Sequence, residues 1–288
     1  MNKSQIIESN DNWDIIIVPN NKLLDLNLSE TWKYRDLLFL LVRRDFVSFY
    51  KQTIFGPIWF FIQPLFTAVT FMFVFGNLAG ISTDNIPAPL FYLSGILIWS
   101  FFSETLVKTS TVLRDNSNIL GKVYFPRIIM PLSIVASSLL KYFIQLVLFL
   151  GLYIFYCLNS SDNMLSIKLL LLPLIIFLFA VQSLGFGLII SGLTTKYRDL
   201  ALLVTFGIQL LLYISPIAYP ISSLSATSNF YMKFNPLSYL FDLYRECFFN
   251  VGGAIFENIC IASIQSFFVL IIGILVFNKV EKSFIDTI

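Results

Sequence analysis

The sequence of 288 residues contains no histidine, and this absence excludes several kinds of active site. Without an imidazole the chain has no Ser-His-Asp triad, no histidine general base and no histidine-ligated zinc or haem. Cysteine is scarce as well: Cys157, Cys247 and Cys260 show no Cys-x-x-Cys spacing, so they make neither a metal site nor a disulfide framework by themselves. We interpret them as small buried hydrophobic side chains.

The chain also lacks a nucleotide-binding motif. In the phosphate-binding pattern G-x-x-x-x-G-K-[ST], the lysine is followed by a hydroxyl residue, whereas Gly121-Lys122 is followed by Val123. No chain of acidic residues crosses the apolar segments, which disfavours proton-coupled transport, and no aspartate cluster indicates a transferase. We therefore predict no catalytic residue, no metal site and no cofactor in this chain. If it takes part in active transport, the energy must come from another polypeptide.

Apolar residues are abundant: 57% of the chain is hydrophobic, 12% is charged and the mean hydropathy is +0.80. A soluble domain has roughly 45–50% apolar and about 25% charged residues, so this composition indicates an integral membrane protein. About 20 apolar residues cross the hydrocarbon core as a helix, and continuous rather than alternating runs exclude a barrel. We predict an all-α polytopic fold with six spans, at about 58–79, 89–107, 130–158, 167–193, 200–221 and 259–278.

The lysines and arginines lie mostly on one side of these spans. Of 19, seven precede the first span, four lie in the loop 108–129, two lie between spans four and five, and two follow the last span. The opposite loops hold Lys168, Lys233 and Arg245. By the positive-inside rule we predict that both termini are cytoplasmic. Residues 1–30 are polar and lack a signal-peptide core, so we expect no signal peptide.

The segment 29–56 is predicted to be an amphipathic helix in the membrane interface. Ser29 can cap its start, and Gly56-Pro57 breaks it before the first span. Apolar residues such as Trp32 and Phe39 fall on one face, and a basic face would meet anionic headgroups. The basic residues are Lys33, Arg43, Arg44 and Lys51. A soluble-domain helix is the alternative, but the preceding residues 1–28, a cytoplasmic segment without an assigned role, are too few for a domain.

Two segments outside the spans have helical signals. In the loop 108–129, Asp115 or Asn116 can cap a short amphipathic helix that Gly121 closes; a tight turn with a solvated face is the alternative. In the outer segment 222–253, a helix is predicted between Asn235-Pro236 and Gly252-Gly253. Its many aromatic residues indicate either an interfacial belt or a gate that stacks on sugars. The gate candidates are Tyr231, Tyr239, Phe241 and Tyr244.

Few polar residues lie within the spans. Lys141 and Gln145 share one face of the third span, and we leave open whether they pack against another helix or line a translocation path. We interpret Glu104, near the inner end of the second span, as an ion-pair partner at the interface. In the fourth span, Ser183, Gly187 and Ser191 form a stripe of small residues that allows another helix to approach closely.

Several stretches in order resemble a known family, the membrane subunit of bacterial ABC-type polysaccharide exporters, and especially the O-antigen exporter. The resemblance covers about residues 30–282. Phe55 stands where the family more often has leucine, which is a mild departure. The stretches are WKYRDLL at 32–38, Arg44-Asp45, YKQTIFGPIW at 50–59, Gln63-Pro64, NILGKVYFPR at 118–127, Pro131-Leu132-Ser133, Tyr197-Arg198-Asp199, Ser215-Pro216 and Asn235-Pro236.

The resemblance implies a homodimer in the bacterial inner membrane, bound to two ABC subunits that hold ATP and Mg²⁺ and hydrolyse the nucleotide. The cargo would be an undecaprenyl-linked polysaccharide, and no nucleic acid would bind. Segment 113–122 would be a coupling helix, helix 31–50 the place where the lipid-linked glycan enters, and 222–250 the outer gate. The residues of the coupling helix that contact the ABC subunit would be Arg114, Asp115, Asn116, Asn118 and Lys122, and Tyr197, Arg198 and Asp199 would form a second contact.

Other functions stay open from the sequence alone. A related ABC exporter of teichoic acid, capsule, lipid or drug would share most of these features. A membrane enzyme of lipid-linked sugar metabolism is disfavoured by the missing histidines and acid clusters. A passive channel or scaffold would assemble without any ATPase.

Overall fold

A computed structural model of the chain describes residues 28–51, 55–159, 166–197, 199–251 and 253–285. Over these residues the fold is helical and contains no strand, which confirms the all-α prediction. The helices are α1 (Leu28–Lys33), α2 (Arg35–Tyr50), α3 (Trp59–Phe71), α4 (Ala88–Ser110), α5 (Val112–Asp115), α6 (Ser117–Leu120), α7 (Ile129–Asn159), α8 (Leu172–Lys196), α9 (Leu200–Ile214), α10 (Ala226–Met232), α11 (Ser238–Phe249) and α12 (Ile255–Ile285). The cytoplasmic segment predicted at 1–28 lies outside the described residues except for Leu28.

Within the described residues, five helical segments are long and apolar enough to cross a membrane. They are Gly56–Leu78, Ala88–Ser110, Ile129–Asn159, Ile167–Lys196 and Ile255–Val280. The first consists of a 3-10 turn, α3 and a π-helical stretch, Met72–Leu78, and the fourth begins with a 3-10 turn at Ile167–Leu171. These five segments correspond to five of the six predicted spans.

The remaining predicted span, 200–221, is the fifth in sequence, and it is helical only along α9. Its 15 residues extend about 22 Å at 1.5 Å per residue, less than the roughly 30 Å of a hydrocarbon core. The helix stops because Pro216 disfavours a helical conformation at the preceding residue, and Ser215 is extended, with ψ of 149°. By length alone, therefore, a count of six spans is not confirmed.

The helices define two ends of the folded chain. At the first, which we call the basic end, α4 and α8 finish side by side, because the Thr194 hydroxyl donates to the carbonyl of Ser110. At the second, the aromatic end, α11 packs near the beginnings of α8 and α12. Gly95, near the start of α4, lies against Ile217, since a Cβ atom added there would come 3.2 Å from the Ile217 side chain. The chain after α9 has thus reached the aromatic end.

Glycines set the closest helix contacts. Gly187 lies against Thr109 of α4, which confirms that the small-residue stripe of α8 serves packing. The neighbouring Gly185 faces α12 instead, where an added Cβ atom would lie 2.8 Å from the backbone nitrogen of Leu270. Across this contact, a Cβ atom at Gly273 would lie 2.6 Å from the carbonyl oxygen of Gly185. Helices α8 and α12 therefore touch backbone to backbone.

We predict that Gly185→Ala destabilises the folded chain, because the added methyl group meets backbone that cannot rotate away. Overpacking of this kind costs about 1–3 kcal/mol. The matched control is Gly151→Ala in α7, where no atom lies within 4 Å of the added Cβ atom. The measurement is the midpoint of thermal unfolding of the detergent-purified chain. Equal midpoints for the two variants would contradict the α8–α12 contact described here.

Candidate functional site

The loop at the basic end folds into two helical turns, α5 and α6; α6 has Asn116 and Gly121 at its two ends, as predicted, and α5 is an additional turn before it. Asn116 lies between them, and its side-chain amide donates to the carbonyl oxygen of Val112 at 2.9 Å. Asn116 therefore satisfies a carbonyl of the first turn, and its side chain makes no cap hydrogen bond to the second. Leu113 and Leu120 are buried and anchor the loop to the helices.

The polar side chains of this loop face outward. Arg114 and Asp115 form an ion pair with each other at 3.1 Å, while Asn118 and Lys122 are exposed. Tyr197, just after α8, is also exposed, and the Lys196 ammonium lies 5.3 Å from the centre of its ring. Asp199 is exposed at the start of α9, and Arg198 lies outside the described residues. The two predicted coupling segments therefore share the basic end.

Helix α2 packs against α7 beside this loop. Leu41 and Val42 are buried, and Leu41 packs in a cluster with Leu113 of α5 and Ile129 of α7. Trp32 of α1 and Phe39 and Leu40 of α2 stay exposed. The single predicted apolar face is therefore divided between a protein contact and an open surface. The basic side chains of the segment, Lys33, Arg43, Arg44 and Lys51, are exposed.

A groove of about 450 Å³ lies between α2, the loop, the end of α4 and the start of α7. Charged side chains and apolar side chains meet in it, which suits an amphiphilic molecule. Arg44 pairs with Asp45 at 2.8 Å at its rim. The lining residues include Arg44, Asp45, Ser48, Lys108, Asp115, Asn116, Met130 and Ile134.

The predicted pair Lys141 and Gln145 makes contacts inside the subunit. The Lys141 ammonium lies 2.6 Å from one oxygen of Glu104, and the other oxygen of Glu104 accepts from Lys108 at 2.7 Å. Gln145 donates to the carbonyl oxygen of Phe60 at 2.9 Å. These bonds join α7 to α4 and α3, so both residues make contacts between helices of this chain.

At the aromatic end, the four gate candidates differ sharply in exposure. Phe241 and Tyr244 are fully buried in the core, and the Tyr244 hydroxyl is 2.9 Å from that of Tyr142. Tyr239 is half-buried, whereas Tyr231 on α10 is 67% exposed. Replacing Phe241 or Tyr244 with a charged residue would therefore test the stability of the fold rather than a gate.

Helix α11 has other limits than predicted. Asn235 does not cap the helix directly: its side-chain oxygen accepts from the Leu237 N–H at 3.0 Å, and the helix begins at Ser238. The stop is Asn250, whose φ of 56° is a left-handed conformation that asparagine tolerates. The predicted stop at Gly252-Gly253 is therefore wrong, because Asn250 already ends the helix.

Sequence reasoning missed Arg245, a buried cation on α11. Its guanidinium donates to the carbonyl oxygens of Ile217 at 2.7 Å and Tyr219 at 3.2 Å, and lies 3.9 Å from the ring centre of Phe91. Burial lowers the pKa of Arg245 to about 10, while nearby Asp242 opposes the shift. Only its position among aromatic residues hinted at this role. Arg245 ties the chain after α9 to α4 and α11.

Among the described residues, no three cysteine, aspartate or glutamate side chains lie close enough together to hold a metal ion. The cysteines are free, and Cys247 is buried, whereas Cys157 is half-buried and Cys260 exposed. The interpretation of all three as buried side chains is correct only for Cys247.

Membrane-length helices joined by buried polar contacts, with a folded polar loop at one end, define a polytopic helical membrane protein. The family model for the ABC-2 type transporter matches residues 36–249, so the chain belongs to this family of transporter membrane subunits.

Named relatives resemble the chain over most of its length. An O-antigen export system permease protein, RfbA of Klebsiella pneumoniae, is 29% identical over 252 residues, which cover 87% of this chain and 94% of the relative. RfbA of Myxococcus xanthus is 26% identical and covers 77% of this chain and 83% of its own. The polysialic acid transport protein KpsM of Escherichia coli is 22% identical, with coverages of 81% and 88%.

We predict that Glu104→Gln destabilises the fold, because it removes the negative charge of a carboxylate that binds the Lys141 ammonium at 2.6 Å. Removing one partner of a buried ion pair costs on the order of 3 kcal/mol. The matched control is Lys108→Met, which removes only the more exposed partner and should cost less than about 1 kcal/mol. Thermal unfolding in detergent measures both, and Lys141→Met in the Glu104→Gln background should recover part of the loss. Equal effects of the two single variants would exclude a structural Lys141–Glu104 pair.

Proposed function

We propose that this chain is the membrane subunit of an ATP-driven exporter of a lipid-linked polysaccharide of the O-antigen type. The observation that carries the proposal is the similarity to O-antigen export permeases along 87% of the chain. Capsule export is the second candidate, because a polysialic acid transport protein matches nearly the same length at lower identity. A teichoic acid, lipid or drug exporter remains a more distant alternative, and membership of a transporter family argues against an enzyme.

We infer six crossings, with both termini in the cytoplasm. Helix α9 starts next to Lys196 at the basic end, and the residues after it contact Gly95 and Arg245 at the aromatic end. Helix α9 and the buried stretch 215–218 together thus pass from one end to the other, although α9 alone is short. The basic end would face the cytoplasm under the positive-inside rule.

We infer that two copies of the chain form the transport path. No residue of α9 is buried, and α3 buries only Phe60, Pro64 and Ala68, so both helices have apolar surface free for a second subunit. A single six-helix bundle filled by its own core offers no polymer-wide channel. An undecaprenyl-linked polysaccharide would therefore pass between the copies within the bacterial inner membrane.

The ATP-binding partner would dock on the basic end. The exposed polar side chains of α5, α6 and the start of α9 support this surface, and buried Leu113 and Leu120 would transmit the partner's movement to the helices. The partner would hold ATP and Mg²⁺, and this chain would carry no cofactor. The proposed contacts are Arg114, Asp115, Asn116, Asn118, Lys122, Tyr197, Arg198 and Asp199.

The lipid-linked glycan would enter beside α2. Exposed Trp32 and Phe39 suit contact with lipid, the basic side chains suit anionic headgroups, and the groove next to Arg44 mixes both chemistries. At the aromatic end the exposed ring of Tyr231, with Phe230 and Phe234, supports a gate on α10 better than the buried Phe241 does.

The proposal is tested by extracting the tagged chain gently from its native membrane and identifying the proteins that co-purify in stoichiometric amount. We expect a partner with the phosphate-binding loop and ATPase activity. Deleting the gene for this chain should also remove the polysaccharide from the cell surface. A chain that purifies alone, from cells whose surface glycan does not depend on it, would overturn the proposal.

We predict that replacing Asn118 and Lys122 together with alanine uncouples export from ATP hydrolysis. Both side chains are exposed, so the fold should keep its thermal midpoint while surface polysaccharide falls at least about tenfold, as expected when about 1.4 kcal/mol of docking is lost. Glu257→Ala, an exposed polar change at the aromatic end, is the control. Surface glycan is measured by gel and antibody staining; normal export by the double variant would refute the coupling assignment.

A further inference from the structure

A second groove, of about 250 Å³, lies at the aromatic end. Four segments meet there: the residue after Pro220, the end of α10, the start of α11 and the start of α12. Such a size suits one small ring rather than a stretch of polymer, since pockets for larger ligands begin at about 300 Å³. The side chains that give it its chemistry are Lys233, Ser238, Tyr239, Asp242 and Asn258.

The Asp242 carboxylate is a hydrogen-bond acceptor in this groove, and a neighbouring side chain holds it in position. The Asn258 amide donates to one oxygen of the Asp242 carboxyl group at 3.0 Å and so holds it between α11 and α12. In the part of the chain that the structure describes, the other oxygen accepts no hydrogen bond. Burial, and then the charge of Glu246, raise the pKa of Asp242. A further donor to this carboxylate would therefore be favourable.

A hydrogen-bond donor, the Lys233 ammonium, lies in the same groove but does not bind the Asp242 carboxylate. Lys233 is exposed, and among the described residues no ion pair joins its ammonium to Asp242. A ligand hydroxyl can donate to a carboxylate and accept from an ammonium at once, whereas a free cation or anion is repelled by one of the two. The ring of half-buried Tyr239 adds an apolar surface, on which the C–H face of a sugar can pack.

We propose that this groove binds one neutral sugar residue of the polysaccharide at the aromatic end of the subunit. The inference rests on the proposed function, because it takes the exported polymer as the ligand. Asp242 would accept from a sugar hydroxyl, Lys233 would donate to it, and Tyr239 would support the ring. The site thus adds contacts on α11 and α12 to the exposed aromatic residues of α10.

The first test measures binding of the polysaccharide that mild acid releases from the strain carrying this chain. The protein is the full chain with its co-purified partner in lipid nanodiscs, and binding is followed by titration calorimetry. Asp242→Asn should weaken binding about tenfold, the loss expected for one charge-assisted hydrogen bond. Glu257→Gln, one residue from Asn258 but outside the groove, should bind like the unaltered chain. Equal affinities of the two variants would overturn the proposal.

A second measurement does not depend on Asp242→Asn folding. Gly253 lines the groove, is exposed and has no atom within 4 Å of an added Cβ atom, so Gly253→Cys is tolerated. A water-soluble maleimide labels it at a rate that peptide mass spectrometry reads apart from the native cysteines. The released polysaccharide should slow labelling at position 253 several-fold and leave Glu257→Cys unaffected. Equal rates with and without glycan at position 253 would overturn the groove assignment.

The two proposals fail in different ways. If deletion of the chain leaves the surface polysaccharide unchanged, the exporter assignment fails, whatever the groove binds. If deletion removes the polysaccharide but neither the affinity of Asp242→Asn differs from that of Glu257→Gln nor the labelling of Gly253→Cys responds to the released glycan, export stands and the sugar subsite is excluded.

Discussion

The subunit depends on the central position of α4, which packs against α3, α7, α8, α9 and α11. Of the five membrane-length segments it is the least apolar, yet 78% of its most apolar stretch is buried. The last segment, Ile255–Val280, is the most apolar and only 22% buried. Lipid requires apolar side chains on every exposed face, whereas a helix surrounded by protein can carry small polar residues that let its neighbours approach closely.

Polar contacts then fix which neighbour lies on which face of α4. Glu104 binds Lys141 of α7, the carbonyl of Ser110 accepts from Thr194 of α8, and the ring of Phe91 lies under Arg245 of α11. In a low-dielectric interior each of these groups is costly without its partner. Because the contacts are specific, whereas apolar packing against helix or lipid is nearly equivalent, a few polar side chains determine the order of the helices.

Because apolar side chains pack almost equally well against another helix or against lipid, only part of the fold could be predicted from the sequence. Five spans, the folded loop after α4 and the helical outer segment follow from runs of apolar residues and from Pro and Gly signals. The inward face of α2 does not, because Leu41 on the bundle and Phe39 on the open surface are equally apolar. The burial of Phe241 and Tyr244, and the partner of Lys141, require contacts between segments distant in sequence. Helical periodicity does not contain that information.

Arg245 limits how the aromatic end can rearrange. Its guanidinium binds the carbonyls after α9 and lies on Phe91 of α4, so α4, the stretch 217–219 and α11 form one body. Separating them would leave a buried cation without acceptors, which costs several kcal/mol. Among the side chains that the structure describes on α10, Phe230 and Tyr231 contact each other and are exposed, and the Met232 sulfur accepts from the Ser238 hydroxyl of α11. We infer that an opening at this end that keeps Arg245 satisfied moves α10 rather than α11, and the groove beside Asp242 lies on the boundary between them.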